Sequence, residues 1–181
     1  MTEAARRGWD STFPQFRAVR GSRILARLCS TYPDSSQEEV DSWRRNVPTL
    51  QREVGEVVRV RTDAGEFTAV MEYELPMESR RADVVLLLRD GVVVVELKGK
   101  FDPSDADVDQ AHAYARDLAC YHRDCHNRPV HPVLVPCADP DERARPHGTR
   151  RSNLCPRKPR HAGVLAGWDA GQRANRRRAL S

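Results

Sequence analysis

Asp83, Glu96 and Lys98 are the residues of this 181-residue chain whose types and spacing could do chemistry. Glu96 and Lys98 follow the run Val92 to Val95. Side chains two apart on a strand share a face, so the carboxylate and the amine point the same way. Asp90-Gly91 is a hairpin signal between two apolar runs. Counting outward from it brings Asp83 level with about Glu96 to Lys98. Two carboxylates that close repel each other unless a cation stands between them. A hard divalent cation such as Mg²⁺ suits all-oxygen ligands and keeps several waters. One such water is a potential nucleophile, and the cation offsets charge developing on a phosphate. Lys98 is then placed to orient or deprotonate that water, or to stabilise a pentacovalent phosphorus. The competing reading is an ordinary salt bridge from Lys98 to Asp83 or Glu96 at a sheet end. An E-x-K triplet by itself occurs by chance in many proteins.

The elements that must position these groups are legible as a change of period. Residues 22–31 read as a short amphipathic helix, with Ile24, Leu25 and Leu28 on one side. The Pro33 to Ser36 stretch is a loop ending in an N-cap. Acids follow in the first turn of a helix running to about residue 45. Pro48 marks a break or a new first turn, and a second helical stretch covers 49–56. From 67 the period shifts towards 2. Strands are expected at 67–75, 81–88 and 92–98, the last apolar enough to be buried on both faces. Pro103 and Ser104 open a helix over 105–121, and 129–136 is a short fourth strand. The order is α-β-β-β-α-β, an α/β fold with a mixed central sheet flanked by helices.

Composition bounds the rest. Hydrophobic residues make up 39% and charged residues 31%, which suits a folded domain. No apolar run approaches the ~18 residues of a membrane span, and the amino-terminal residues lack the apolar stretch of a secretory signal. The expected location is the cytoplasm, with no membrane partner. Five cysteines (Cys29, Cys120, Cys125, Cys137, Cys155), an odd number and loosely scattered, argue against a disulfide framework. Cys120, His122, Cys125 and His126 match no common structural zinc spacing and read better as the incidental end of a helix.

The net charge of +4 is unevenly spread. Residues 1–136 carry 19 Lys/Arg against 22 Asp/Glu, and residues 137–181 carry 11 against 4. The basic excess therefore belongs to an Arg/Pro-rich tail over 137–181. It lacks the apolar residues to offset its ordering entropy, and poor order is expected there. Two readings of the tail stand side by side. Arg150-Arg151, Arg157-Lys158 and Arg176 to Arg178 would bind nucleic acid by charge alone. Alternatively, a truncated gene or a shifted frame in GC-rich coding sequence would yield the same composition.

Taken together, Arg81-x-Asp83, Asp90-Gly91, Glu96-Leu97-Lys98 and then Gln110-x-x-x-Tyr114 resemble the PD-(D/E)XK nuclease superfamily. The Q-x-x-x-Y spacing is similar to its RecB-like branch. Three further stretches resemble the N-terminal nuclease-like domain of a group of bacterial superfamily 1 DNA/RNA helicase-like proteins. They are Glu39 to Pro48 (EVDSWRRNVP), Met71 to Pro76 (MEYELP) and Arg81 to Leu86 (RADVVL). The resemblance covers roughly residues 20–136. It implies a restriction endonuclease-like core over residues 1–136. It also implies metal ligation by Asp83 and Glu96, catalysis by Lys98, and Gln110 and Tyr114 beside the catalytic site. Ala82 stands where a proline commonly precedes the first Asp, and the loop from Lys98 to Gln110 is short for the helicase-linked group.

Many members of that superfamily carry a Glu on the first helix, which makes Glu39 the candidate third metal ligand. Stabilisation of a helix N-terminus explains Glu39 equally well. Gln110 reads alternatively as a surface helix residue and Tyr114 as a core one. Glu72 or Glu74 would join the metal site or, more simply, sit on a solvated face. Trp43 fits a buried helix face. Lys100, Arg80 and Arg81 would hold phosphates or form a solvated edge.

The expected activity is Mg²⁺- or Mn²⁺-dependent hydrolysis of phosphodiesters, with DNA as substrate and RNA possible. The rival is a non-catalytic module of a helicase-like protein that docks nucleic acid or protein. No G-x-x-x-x-G-K-[ST] phosphate loop occurs in the sequence, so a helicase or ATPase domain would have to be supplied separately. No helix-turn-helix pattern supports a transcription factor.

Overall fold

In the computed structural model the described residues are 6–75, 80–100 and 102–137. The chain opens with strand β1 (Arg7–Thr12), followed by helices α1 (Phe13–Ala18), α2 (Gly21–Thr31) and α3 (Gln37–Val60). Strands β2 (Thr68–Glu74), β3 (Arg81–Leu87) and β4 (Val92–Lys98) come next, then helix α4 (Asp105–Tyr121) and strand β5 (Val130–Pro136). Single 3₁₀ turns occupy Ala64–Glu66 and Arg123–Cys125. The Arg/Pro-rich segment from residue 138 onward, including its Arg pairs, lies outside the described residues.

The five strands form one mixed sheet in the order β1-β2-β3-β4-β5. The first three pairings are antiparallel and β4 pairs with β5 in parallel. The β3-β4 hairpin turns at Arg89-Asp90, one residue before the Asp90-Gly91 turn expected: Leu87 pairs with Val92, and the Leu88 N–H donates to the Gly91 carbonyl oxygen at 2.9 Å. A Cβ on Gly91 would come within 2.8 Å of the Pro129 carbonyl oxygen, so the parallel β5 can close against the hairpin only over a glycine. β4 is buried from Val92 to Leu97, the signature of a strand covered on both sides.

Two cores do that covering. On one face Met71, Val84, Leu86, Val93 and Val95 pack against Phe16, Ile24, Leu28, Trp43, Val47 and Val54 of α1, α2 and α3. On the other, Val70, Val85, Val92 and Val94 meet Tyr114, Ala115 and Leu118 of α4.

Two features differ from expectation. α3 is one helix of 24 residues that passes through Pro48, where two helices are expected. Proline forfeits one backbone hydrogen bond and crowds the preceding turn. Trp43, Val47, Leu50, Val54 and Val57 nevertheless bury one continuous stripe, and Pro48 lies on the exposed side. Tertiary burial outweighs the local penalty. The second is an N-terminal addition, β1-α1, which forms a sheet edge and a helix from residues with no clear periodicity. Thr12 and Gln15 cap α1 reciprocally, with a proline in its first turn. Among the described residues no helix is long and apolar enough to cross a membrane.

Candidate active site

The register of the sheet brings the acidic residues into line. Met71 faces Val84 and Tyr73 faces Ala82, so Glu72 and Asp83 share a row. Val84 faces Val95, which carries that row on to Glu96. Three acidic residues therefore occupy adjacent positions across β2, β3 and β4. Glu72 is the exception to an ordinary strand. Its φ of 52° lies in the left-handed region, which is costly for a residue with a long side chain. The inversion turns its carboxylate towards α3, where the Trp43 indole N–H donates to Oε1 at 2.7 Å. The Tyr32 hydroxyl donates to its carbonyl oxygen at 2.6 Å.

These groups line a cleft of about 320 Å³ between α3, the sheet and α4. Its walls include Glu39, Trp43, Glu72, Arg81, Asp83, Glu96 and Gln110. Asp83 Oδ2 accepts from the Leu97 N–H at 2.7 Å, tying β3 to the end of β4. Glu96 Oε1 accepts from Lys98 Nζ at 3.2 Å and from Gln110 Nε2 at 2.9 Å. Gln110 completes the network: its Oε1 accepts from Lys98 at 2.9 Å and its Nε2 donates to the Tyr114 hydroxyl oxygen at 2.7 Å. The other Glu96 oxygen, Oε2, is buried with no hydrogen-bond partner. An orphaned carboxylate oxygen of this kind is costly unless a ligand meets it.

The electrostatics follow from burial. Desolvation pushes the Glu96 carboxyl up to about 7, and the adjacent Asp83 raises it further against the pull of Lys98. Burial likewise raises Asp83, opposed by the Leu97 N–H, Lys98 and Arg81. Without a cation, the pair resists carrying two full charges at neutral pH.

Glu39 plays two roles. It closes a capping box with Ser36 at the start of α3, its Oε2 accepting from the Ser36 N–H at 2.8 Å. It also pairs with Arg81 at 2.5 Å. Both the cap and Arg81 hold its carboxyl below the usual carboxylate range. It lines the cleft, but among the described residues no group of three or more His, Cys, Asp or Glu is arranged to hold a metal. The set Asp83, Glu96 and Glu39 is therefore not assembled here as one cluster. The same holds for Cys120, His122, Cys125 and His126.

Gln110 bonds both Glu96 and Lys98, and Tyr114 bonds Gln110. Tyr114 is also buried, and the Arg80 guanidinium lies 5.1 Å from its ring centre. Lys100 pairs with Asp107, which also lies 3.9 Å from Lys98. Comparisons with protein-family models, curated proteins and solved structures find no match.

Sequence reasoning missed the weight of Glu72 and Arg81. A solvated face is the simpler expectation for Glu72, yet it is only 6% exposed. The error lies in assuming unbroken alternation along β2, which the inversion at Glu72 interrupts. Arg81 sits over the Tyr32 ring at 4.2 Å and reaches both Glu39 and Glu72.

Burial pushes the Glu72 carboxyl up to about 8 from its ordinary 4.5, with Asp83 adding to the effect and Arg81 opposing it. The folded state thus favours the protonated form. Its contribution is fully present below about pH 4.5 and is lost as pH rises towards 8. Urea unfolding of the metal-free protein should show stability falling between pH 5 and pH 8, with Glu72 contributing on the order of 3 kcal/mol. Glu72→Gln should flatten that fall. Identical pH profiles for the two proteins would contradict this account.

Proposed function

We propose that this chain is a metal-dependent nuclease domain of the PD-(D/E)XK kind that hydrolyses phosphodiester bonds of DNA. The observation that carries the reading is the convergence of Asp83, Glu96 and Gln110 on one cleft, with Lys98 bonded to Glu96 and Gln110 and with Glu96 Oε2 left unpartnered. From α3 onward, the element order α3-β2-β3-β4-α4-β5 supports a restriction endonuclease-like core. An ordinary salt bridge would need one carboxylate and one cation. Here a second buried carboxylate and a bridging amide crowd the same point, at considerable desolvation cost.

The donor set suits Mg²⁺ or Mn²⁺. It is all oxygen, and Mg²⁺ is commonly held by one or two carboxylates with water completing the shell. Asp83 and Glu96 would hold the ion. When bound it would supply Lewis acidity and a water of lowered pKa.

The chain's own groups do the rest. Lys98, fixed by Glu96 and Gln110, presents its ammonium to the reacting phosphate, where negative charge grows as water oxygen bonds to phosphorus and the P–O bond to the leaving group breaks. Gln110 fixes the orientation of both Glu96 and Lys98. Tyr114 anchors Gln110 from the buried side. Arg81, steadied by Tyr32, presents a cation at the other wall of the cleft, suited to an adjacent phosphate.

Calorimetric titration of Mn²⁺ into the protein tests the ion site. The expected result is binding that is lost in Asp83→Asn and in Glu96→Gln and kept in Lys98→Met. Equal binding by all four proteins would remove Asp83 and Glu96 from the site.

A further inference from the structure

From residue 11 to residue 33 the chain carries four arginines, Arg17, Arg20, Arg23 and Arg27, and no Asp or Glu. Arg23 and Arg27, four residues apart, share one stripe along α2, and Arg20 is the extended residue just before its first turn. All three are exposed. Among the described residues none of their side chains takes part in an ion pair or a side-chain hydrogen bond. Elsewhere the arginines are mostly paired, as in Arg7–Asp10, Arg52–Glu53, Arg61–Asp63 and Arg89–Glu66. Like charges three and four residues apart on a helix repel by a few tenths of a kcal/mol per pair. A polyanion would reverse the sign of that interaction.

The stripe leads to the cleft. One helical turn beyond Arg27 is Thr31, whose carbonyl accepts from the Arg6 guanidinium. Arg6 lies 5.1 Å from the centre of the Tyr32 ring, and Arg81 lies over the same ring at 4.2 Å. Guanidinium groups therefore continue from α2 past Tyr32 to the wall of the cleft. The apolar side of α2 is already spent, since Ile24 and Leu28 are fully buried in the core. No apolar face is left to enter a lipid surface, as an interfacial helix requires. Arg20 to Arg27 spans about 10 Å at 1.5 Å per residue, the length of about three phosphates along one strand of a duplex.

We propose that α2 is a phosphate rail: Arg20, Arg23 and Arg27 hold successive phosphates of a DNA strand and lead it over Arg6 and Arg81 to the cleft. The rail rests on the nuclease reading only for where the strand goes, and its binding is independent of catalysis. In sequence it is separate from the basic segment after residue 137.

The test uses the full chain, a fluorescently labelled single-stranded 20-mer and EDTA, with anisotropy followed across a salt series. The rail variant is Arg20→Gln/Arg23→Gln/Arg27→Gln. A control of equal charge change is Arg116→Gln/Arg123→Gln/Arg128→Gln, on α4 and the loop after it. The rail variant should lose affinity at least tenfold, and its log affinity against log salt should flatten by about 2, at ~0.7 per phosphate contact. The control should change less than about threefold. Equal losses in both variants, or none in the rail variant, would overturn the rail. So would capture of the wild type by phosphatidylserine vesicles that the rail variant loses while its DNA affinity is unchanged. Rail-dependent binding without metal-dependent cleavage would leave the rail standing and sink the nuclease reading alone.

Discussion

Lys98→Ala should lower the single-turnover rate of DNA cleavage by about 10³-fold while leaving DNA affinity within about threefold of wild type. Lys98 stands 3.2 Å from Glu96 and 2.9 Å from Gln110, so its ammonium is held in one place before substrate arrives. Such fixed charge acts chiefly where charge grows in the transition state, which is why the rate should fall and affinity should not. The substitution also removes the cation that keeps Glu96 from rising further, so the variant's metal affinity should become steeper with pH. Lys98→Arg keeps the charge but replaces a compact ammonium with a planar fork. It should recover only part of the rate. Full activity in Lys98→Ala would show that the amine is part of a structural ion pair.

The second large effect concerns stability. Tyr32→Ala should destabilise the fold by about 3–4 kcal/mol, the usual cost of emptying a buried aromatic site. For a domain of this size that is a drop of roughly 10 °C in the thermal midpoint. Tyr32 is 9% exposed, tilts against Trp43 and carries guanidinium groups near its ring. Its hydroxyl satisfies the carbonyl of the inverted Glu72. Tyr32→Phe removes that bond alone and should cost about 1–2 kcal/mol. Thermal unfolding of both variants separates the ring from the hydroxyl. Equal losses would mean that the hydrogen bond carries the whole effect. DNA cleavage should also weaken in Tyr32→Ala well below its unfolding temperature, because Arg81 loses the surface that steadies it.

How much of this was legible in the sequence depends on how local the signals are. The β3-β4 hairpin is readable because Asp90-Gly91 marks the turn to within one residue and the turn sets the count. That count places Asp83 level with about Glu96 to Lys98, and the turn that forms, one residue earlier, sets it level with Glu96. α4 is readable at both ends from Ser104, the acids that follow it and the spacing of its apolar residues. The passage of α3 through Pro48 is not readable, because the stripe that overrides the proline is buried against strands distant in sequence. The β1-α1 unit carried one usable signal, the Thr12-x-x-Gln15 capping box with Pro14 inside it. Glu72 lies beyond local reading altogether. Its inversion is sustained by Trp43 and Tyr32, residues 29 and 40 positions away.

The central claim is that Asp83, Glu96 and Lys98 form a metal-dependent phosphodiesterase centre. Its most direct test is incubation of supercoiled plasmid with the protein in Mg²⁺, Mn²⁺ or EDTA, alongside Asp83→Ala and Lys98→Ala. The account predicts nicking in either metal, none in EDTA, and none from either variant. Nicking that persists in EDTA or in Asp83→Ala, or no cleavage in any metal by folded protein that also fails to bind Mn²⁺, would contradict it.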